Sequence, residues 1–215
     1  MQVLDFEFCG HKRQLTLPDG ALSRYCAAEI IEGKCYPWPV GENPRCVVDL
    51  GACAGEFTTC AALLWPEATI YAFEPYPPSY ELLNANCEGL ECVVTYPFAV
   101  GVQDGKAKLH LSTLGAVGHS LMVRDSATGE SVDVDVVSAK FVDNLMPDVL
   151  KIDVEGLEHE ILAAMDLQHI HRIYVEFHRE IDRKKIMELL DETHHLWWAR
   201  IDQISQGELA YVRKF

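Results

Sequence analysis

From Arg45 onward, short runs rich in β-branched residues alternate with stretches whose apolar positions recur at helical spacing. Cys46–Leu50 reads as a strand, and Glu56 to Trp65 as a helix stopped by Pro66. Thr69–Phe73 is a second strand; a helix then opens at Pro77-Pro78, where proline sacrifices no hydrogen bond, and runs to about Cys87. Cys92 to Val100 is strand-like but interrupted by Pro97, and Val149–Val154 is a compact apolar strand leading into a helix from about Gly156 to Met165. A strand at Ile173–Phe177, a helix at Ile181–Asp191 and two strands near Leu196–Ile201 and Leu209–Arg213 complete the series. The last two are expected to pair antiparallel about a turn at Gln206-Gly207. This alternation predicts an α/β fold with a mostly parallel sheet covered by helices on both faces.

Two stretches depart from the rhythm. Residues 1–44 suggest a small hairpin, Val3–Phe8 and Gln14–Leu17 turning near Gly10, and a helix around Ala21–Ile31. Residues 101–140 alternate with period two, Ala107, Leu109 and Leu111 in one run and Val132, Val134 and Val136 in the next. Between these runs lies a glycine-rich loop, Leu114 to Leu121, so a hairpin insertion is expected before the fourth parallel strand. The predicted organisation is an N-terminal extension, 1–44, and one main domain, 45–215.

Composition narrows the partners. Eighteen Lys and Arg against 33 Asp and Glu leave a formal charge of −15. The densest basic run, Arg183-Lys184-Lys185, is flanked by Glu180, Asp182 and Glu188, so nucleic acid and anionic membranes are not expected partners. The longest apolar run, Cys60–Trp65, is far too short to span a bilayer, and the N-terminus lacks the features of a signal peptide. Eight cysteines without a C-x-x-C pair read as reduced thiols of a cytoplasmic protein, and no structural zinc site is predicted.

In an open parallel sheet, ligands bind beyond the carboxyl ends of the strands. The first parallel strand ends in Asp49-Leu-Gly51-Ala52-Cys53-Ala-Gly55, a glycine turn that runs directly into a helix. It lacks the G-x-G-x-x-G fingerprint that seats a pyrophosphate and instead places a carboxylate two residues before the first glycine, which suits a cationic ligand. The second strand ends in Glu74, 19 residues beyond Gly55, where an acid accepts the two hydroxyls of a ribose. A helix-capping Asp49 and an exposed strand-end Glu74 would explain either acid alone. Together they fit S-adenosylmethionine, with Asp49 near its ammonium end, directly or through water. Farther on, Lys151, Asp153 and Glu155 share one face of a strand, and Glu176 and His178 share the end of the next. Glu158 and Glu160 are assigned the simpler role of complementing a helix dipole.

These segments resemble the FkbM family of S-adenosylmethionine-dependent methyltransferases. That family's D-x-G-A-N-x-G motif is met by Asp49 to Gly55 except at Cys53, and its A-F-E-P-x-P motif by Ala72-Phe73-Glu74-Pro75-Tyr76-Pro77, followed by Leu82-Leu83 and Asn86. An A-V-G step matches Ala99 to Gly101, K-I-D-x-E-G-x-E matches Lys151 to Glu158, V-E-x-H matches Val175 to His178, and Gly33 to Tyr36 looks like the family's entry segment. The resemblance implies a Rossmann-like seven-stranded methyltransferase sheet with a C-terminal antiparallel strand. It also implies methylation of a hydroxyl on a sugar, polyketide or other small metabolite, with S-adenosyl-L-methionine as cofactor. Cofactor contacts are expected from Asp49, Gly51, Ala52, Cys53, Gly55, Glu74, Pro75 and Ala99. At position 53 a thiol replaces the Asn amide that could bond the cofactor's amino acid tail.

A hydroxyl nucleophile needs a base, and Asp153, Glu155 and His178 are the candidates in that order. His119 and Ser120 of the glycine-rich loop are expected to touch the substrate. Carboxylates at this rim also suit Mg²⁺, although no metal site is predicted. The competing readings are a non-catalytic S-adenosylmethionine-binding or scaffold protein of the same fold and an NAD-dependent oxidoreductase. The exposed edge of the 101–140 hairpin offers a place for a homodimer to form.

Overall fold

Cys9 and Gly10, both at positive φ, form the two-residue turn of an N-terminal hairpin between β1 (Gln2–Phe8) and β2 (His11–Leu17) in a computed structural model that describes residues 1–203 and 205–215, apart from the side chains at 117, 202 and 203. Helix α1 (Ala21–Ile31) follows, and the main sheet begins with β3 (Cys46–Leu50). Its first half continues with α2 (Glu56–Leu64), β4 (Thr69–Phe73), α3 (Pro77–Asn86) and β5 (Val93–Tyr96). Three shorter-range strands, β6 (Ala99–Gly101), β7 (Gly105–Ser112) and β8 (Ala127–Ser138), make a separate sheet in the order β6-β8-β7. The second half runs α4 (Ala139–Asp143), β9 (Val149–Ile152), α5 (Glu158–Ala163), β10 (Arg172–Phe177), α6 (Glu180–Leu190), β11 (His194–Gln203) and β12 (Gln206–Arg213).

The main sheet has seven strands in the order β11-β12-β10-β9-β3-β4-β5. Strands β10, β9, β3, β4 and β5 are parallel, and β12 runs antiparallel between β10 and β11. Every residue of β3 and β9 is buried, as expected for central parallel strands covered on both faces. Alternate residues feed two layers. Val48, Leu50, Leu150, Ile152 and Val175 pack towards Ile161 of α5 and Ile186 of α6. Val47, Ile70, Val149 and Tyr174 pack towards Phe57 and Ala61 of α2, with Tyr36 and Trp65. Each aliphatic side chain so buried contributes about 1.5–3 kcal/mol.

Several expected boundaries shift for identifiable reasons. Pro97 divides the predicted 92–100 strand into two strands that belong to different sheets. The helix expected from Gly156 starts only at Glu158, because Glu155 and Gly156 both take positive φ. Gly207, expected in the final turn, lies inside β12 opposite Ile201 and Phe177; a Cβ there would come 2.1 Å from the Arg200 carbonyl oxygen. Gln206, the other residue expected in that turn, is likewise the first residue of β12 and pairs with Gln203.

The chain order reverses between β3 and β9, since β4 and β5 continue to one side and β10 to the other. The carboxyl ends of β3, β4, β9 and β10 thus converge on the crevice where α/β sheets bind ligands. The N-terminal hairpin is fastened beside this crevice. Asn86 at the end of α3 accepts the Thr16 amide proton at 2.8 Å and donates to the carbonyls of Thr16 at 2.9 Å and Ala54 at 2.7 Å. Leu15, Leu17 and Ala54 pack together beneath it.

Candidate active site

A cavity of about 540 Å³ opens at that crevice, within the range of small-molecule sites. Its floor is the Gly51–Cys53 turn with Phe73, Glu74 and Pro75; Ala99 and Val100 line one side, and Asp153, Glu155, Glu176 and His178 the other. Helix α1 contributes Tyr25, Cys26 and Glu29 to the wall, and the insertion contributes His119, Leu121 and Arg124.

The glycine turn is set by contacts that allow no side chain. Gly51 has φ +79°, and a Cβ on it would stand 1.8 Å from the backbone oxygen of Asp153. Gly55 has φ +88°, and its Cβ would meet Leu83 at 2.8 Å. Between them Cys53 holds φ 50°, an unusual conformation for a residue that is neither Gly nor Asn. Burial raises the Cys53 thiol well above its ordinary pKa and keeps it neutral.

Glu74 lies on the cavity wall with both carboxylate oxygens held by backbone: the Cys53 amide donates to one at 2.9 Å and the Tyr76 amide to the other at 2.8 Å. The end of β4 is thereby tied to the glycine turn, and each oxygen keeps a lone pair for a further donor. Burial pushes the Glu74 carboxyl up to about 8, against the pull of those amides. Glu56, the first residue of α2, also lines the cavity, and burial pushes it up to about 7.

Asp49 is placed otherwise than expected. It is fully buried and stands behind the cavity wall, where its carboxylate accepts the Thr58 hydroxyl at 2.6 Å and faces the Lys151 ammonium at 3.0 Å. The cause is register: Asp49 of β3 lies directly opposite Lys151 of β9. Lys151 in turn donates to the Gly51 carbonyl at 2.7 Å, so Asp49 acts on the glycine turn through Lys151. The acid that reaches the cavity at this end is Glu56, which sequence reasoning treated only as a helix start.

The second group of acids surrounds His178. Its Nε2 is 3.4 Å from Glu155 and 3.8 Å from both Asp153 and Glu158, and its Nδ1 is 3.8 Å from Glu176. Burial would lower the His178 pKa, but Asp153 and the surrounding carboxylates raise it to about 10. Asp153 shows the opposite balance: burial disfavours its charge, yet Lys151 at 3.7 Å and His178 together hold its carboxyl well below the usual range. The buried Tyr36 hydroxyl donates to Asp153 at 3.3 Å. Burial pushes Glu155 up to about 7, even with His178 nearby and an ion pair to Arg124. Glu158 has a structural task, accepting the amides of Val154 at 3.1 Å and Gly156 at 3.0 Å, which braces the left-handed turn.

Of the two residues expected at the substrate, one lines the cavity. His119 lines the cavity, with its Nδ1 accepting the Ser112 amide proton at 3.0 Å and its ring edge-on to Tyr76. Ser120 is buried away from the wall and donates to the Glu155 carbonyl at 2.6 Å. It fastens the insertion to the Glu155 turn. Tyr36 and Arg124, unassigned from sequence, join the site from outside its motifs; only the Gly33–Tyr36 segment hinted at the first.

The model of the methyltransferase FkbM domain matches residues 49–204, which covers both acidic ends of the cavity. The hexuronic acid methyltransferase AglP of Haloferax volcanii is 30% identical over 149 residues, 67% of this chain and 60% of that protein. The 31-O-demethyl-FK506 methyltransferase FkbM of Streptomyces tacrolimicus is 28% identical over 212 residues, 76% of this chain and 81% of its own. The chain thus spans less than two thirds of the Haloferax relative. Among solved structures, the fibrillarin pre-rRNA processing protein of Methanococcus jannaschii superposes with a TM-score of 0.53 at 14% identity, covering 99% of this chain and 98% of that one. Aeropyrum pernix fibrillarin with natively bound S-adenosyl-L-methionine gives 0.51 at 14%, covering 98% and 94%. At such identity the likeness is one of fold. The family model and the curated relatives carry the assignment further: this chain belongs to the FkbM family of methyltransferases.

Proposed function

We propose that this methyltransferase uses S-adenosylmethionine to methylate a hydroxyl group on a small acceptor. The observation that carries the reading is Glu74, a buried carboxylate on the cavity wall whose two oxygens are pre-aimed by the amides of Cys53 and Tyr76. That geometry supports acceptance of two ribose hydroxyls. Glu56, at the other end of the glycine turn, is suited to the ammonium of the amino acid tail, with Asp49 acting behind it through Lys151. Ala99 and Pro75 offer apolar surface for a purine. When bound, the cofactor supplies a methyl group already activated by a sulfonium.

The remaining task is to orient a hydroxyl and receive its proton. Asp153 is ionised and anchored by Tyr36 and Lys151, which suits it to hold the acceptor hydroxyl in line but makes it a weak base. Glu155, with a carboxyl near 7, is matched to proton transfer at neutral pH and takes the role first given to Asp153. His119 accepts at Nδ1, and burial lowers its pKa, so its neutral ring presents Nε2–H to the acceptor. Residues 1–44 act as an extension that closes one side of the cavity, and 45–215 as the methyltransferase unit. The relatives named for hexuronic acid and for 31-O-demethyl-FK506 support a sugar- or polyketide-like acceptor.

Transfer of isotopically labelled methyl to a panel of such hydroxyl compounds tests the reading. Label should appear on oxygen, and Glu155→Gln should lower kcat by about 10²–10⁴-fold with little change in cofactor affinity. Label found only on amines, or unchanged kcat in the variant, would contradict it.

A further inference from the structure

We infer that Asp153, Glu176 and His178 together form a binding site for one divalent metal ion at the inner wall of the cavity. One donor atom from each lies within 4.8 Å of the others, and the three residues come from the adjacent carboxyl ends of β9 and β10. The second observation is the imidazole itself. The His178 side chain is only 2% exposed, and neither ring nitrogen makes a hydrogen bond among the described residues, although four carboxylates surround it at 3.4–3.8 Å. A buried polar ring left without hydrogen bonds costs about 1–3 kcal/mol.

The neighbouring charges select the donors. Glu158 is engaged by the amides of Val154 and Gly156, and Glu155 is paired with Arg124. Asp153 turns Oδ2 to Lys151 and Tyr36 and leaves Oδ1 on the His178 side. Among the described residues, Glu176 accepts a hydrogen bond from the side-chain amide of Gln206, at 3.2 Å. Among the described residues, the cations within ion-pair distance of the carboxylates of Asp153, Glu155, Glu158 and Glu176 are Lys151, Arg124 and His178 itself. A divalent cation at this point gives one ring nitrogen of His178 and the facing carboxylate oxygens a common partner. Two hard oxygens and one imidazole nitrogen suit Mg²⁺ or Mn²⁺, with coordination positions left for water or a substrate oxygen. Binding stands apart from the proposed reaction. Only the ion's role, lowering the pKa of an acceptor hydroxyl, rests on the methyl-transfer reading.

Chelator-treated protein titrated with Mn²⁺, and followed by the electron paramagnetic resonance signal of the free ion, tests the site. One Mn²⁺ per chain should bind, and Glu176→Gln and His178→Ala should each weaken it by at least about tenfold. Glu130→Gln, on exposed β8, should leave it unchanged. Thermal melting and S-adenosylhomocysteine binding without metal report whether each variant is folded, and the second also tests the cofactor reading by itself. Absence of saturable Mn²⁺ binding to the wild type overturns the site, leaving His178 a protonated counter-ion of its acids. Undiminished binding in whichever variant folds overturns it equally, since the ion then lies elsewhere.

Discussion

Two non-glycine residues at the cavity, Cys53 at φ 50° and Glu155 at φ 63°, hold left-handed backbone. Such a conformation costs a side chain with a Cβ about 1–2 kcal/mol, whereas Asn tolerates it through local hydrogen bonds. Position 53 is where the family pattern has Asn, so the departure has a backbone consequence as well as a chemical one. Cys53→Asn is expected to raise the melting temperature by roughly 2–4 °C, the equivalent of about 1 kcal/mol in a chain of this size, and to tighten S-adenosylhomocysteine binding severalfold. Calorimetry and thermal melting check both, and a lower melting temperature with weaker binding would oppose this view of the turn. The titratable groups of the cavity rim were legible as strand-end residues, the carboxylates Asp153 and Glu155 and the imidazole of His178 included, because their spacing is local. The partner of Asp49 was not. Its burial depends on the register of β3 with β9, a pairing across 102 residues that no local pattern reveals.

At the scale of elements, the glycine turn depends on pieces distant in sequence. Asn86 joins α3, β2 and the Ala54 carbonyl through three hydrogen bonds, and Ser120 joins the insertion to the Glu155 turn. Asn86→Ala leaves buried backbone groups without partners, and a loss of about 2 kcal/mol, or roughly 4–8 °C in melting temperature, is expected. An unchanged melting temperature would show the hairpin to be held by apolar packing alone. The alternating elements and the mostly parallel sheet they imply were readable from period and length, as was the N-terminal hairpin with its helix, whereas the order of the strands was not. Ends were read less well wherever backbone conformation overrode pattern, as at Pro97, Gly156 and Gly207. Arg124 lies in a stretch with no clear period, and only its proximity to Glu155 reveals its place.

For the whole molecule, the surplus of acid is partly internal. Glu56 and Glu74 sit buried on the cavity wall with carboxyls pushed up to about 7 and about 8. Because their folded-state values exceed those of the unfolded chain, the stability they contribute is complete below about pH 4.5 and lost as pH rises through 7 and 8. The melting temperature of the ligand-free protein should therefore fall between pH 5.5 and 8.5, and Glu74→Gln should flatten that decline. A rising curve, or an identical slope in the variant, would contradict the burial assigned to these acids. Among the described residues no helix is long and apolar enough to cross a membrane. The central claim is that the carboxyl rim of β3 and β4 receives a nucleoside through Glu74. Titration calorimetry of S-adenosylhomocysteine against wild type and Glu74→Ala tests it most directly: the account predicts saturable one-to-one binding, weakened about tenfold or more by loss of the buried hydrogen bonds from Glu74. Equal affinity in the two proteins, or no binding to the wild type, would contradict it.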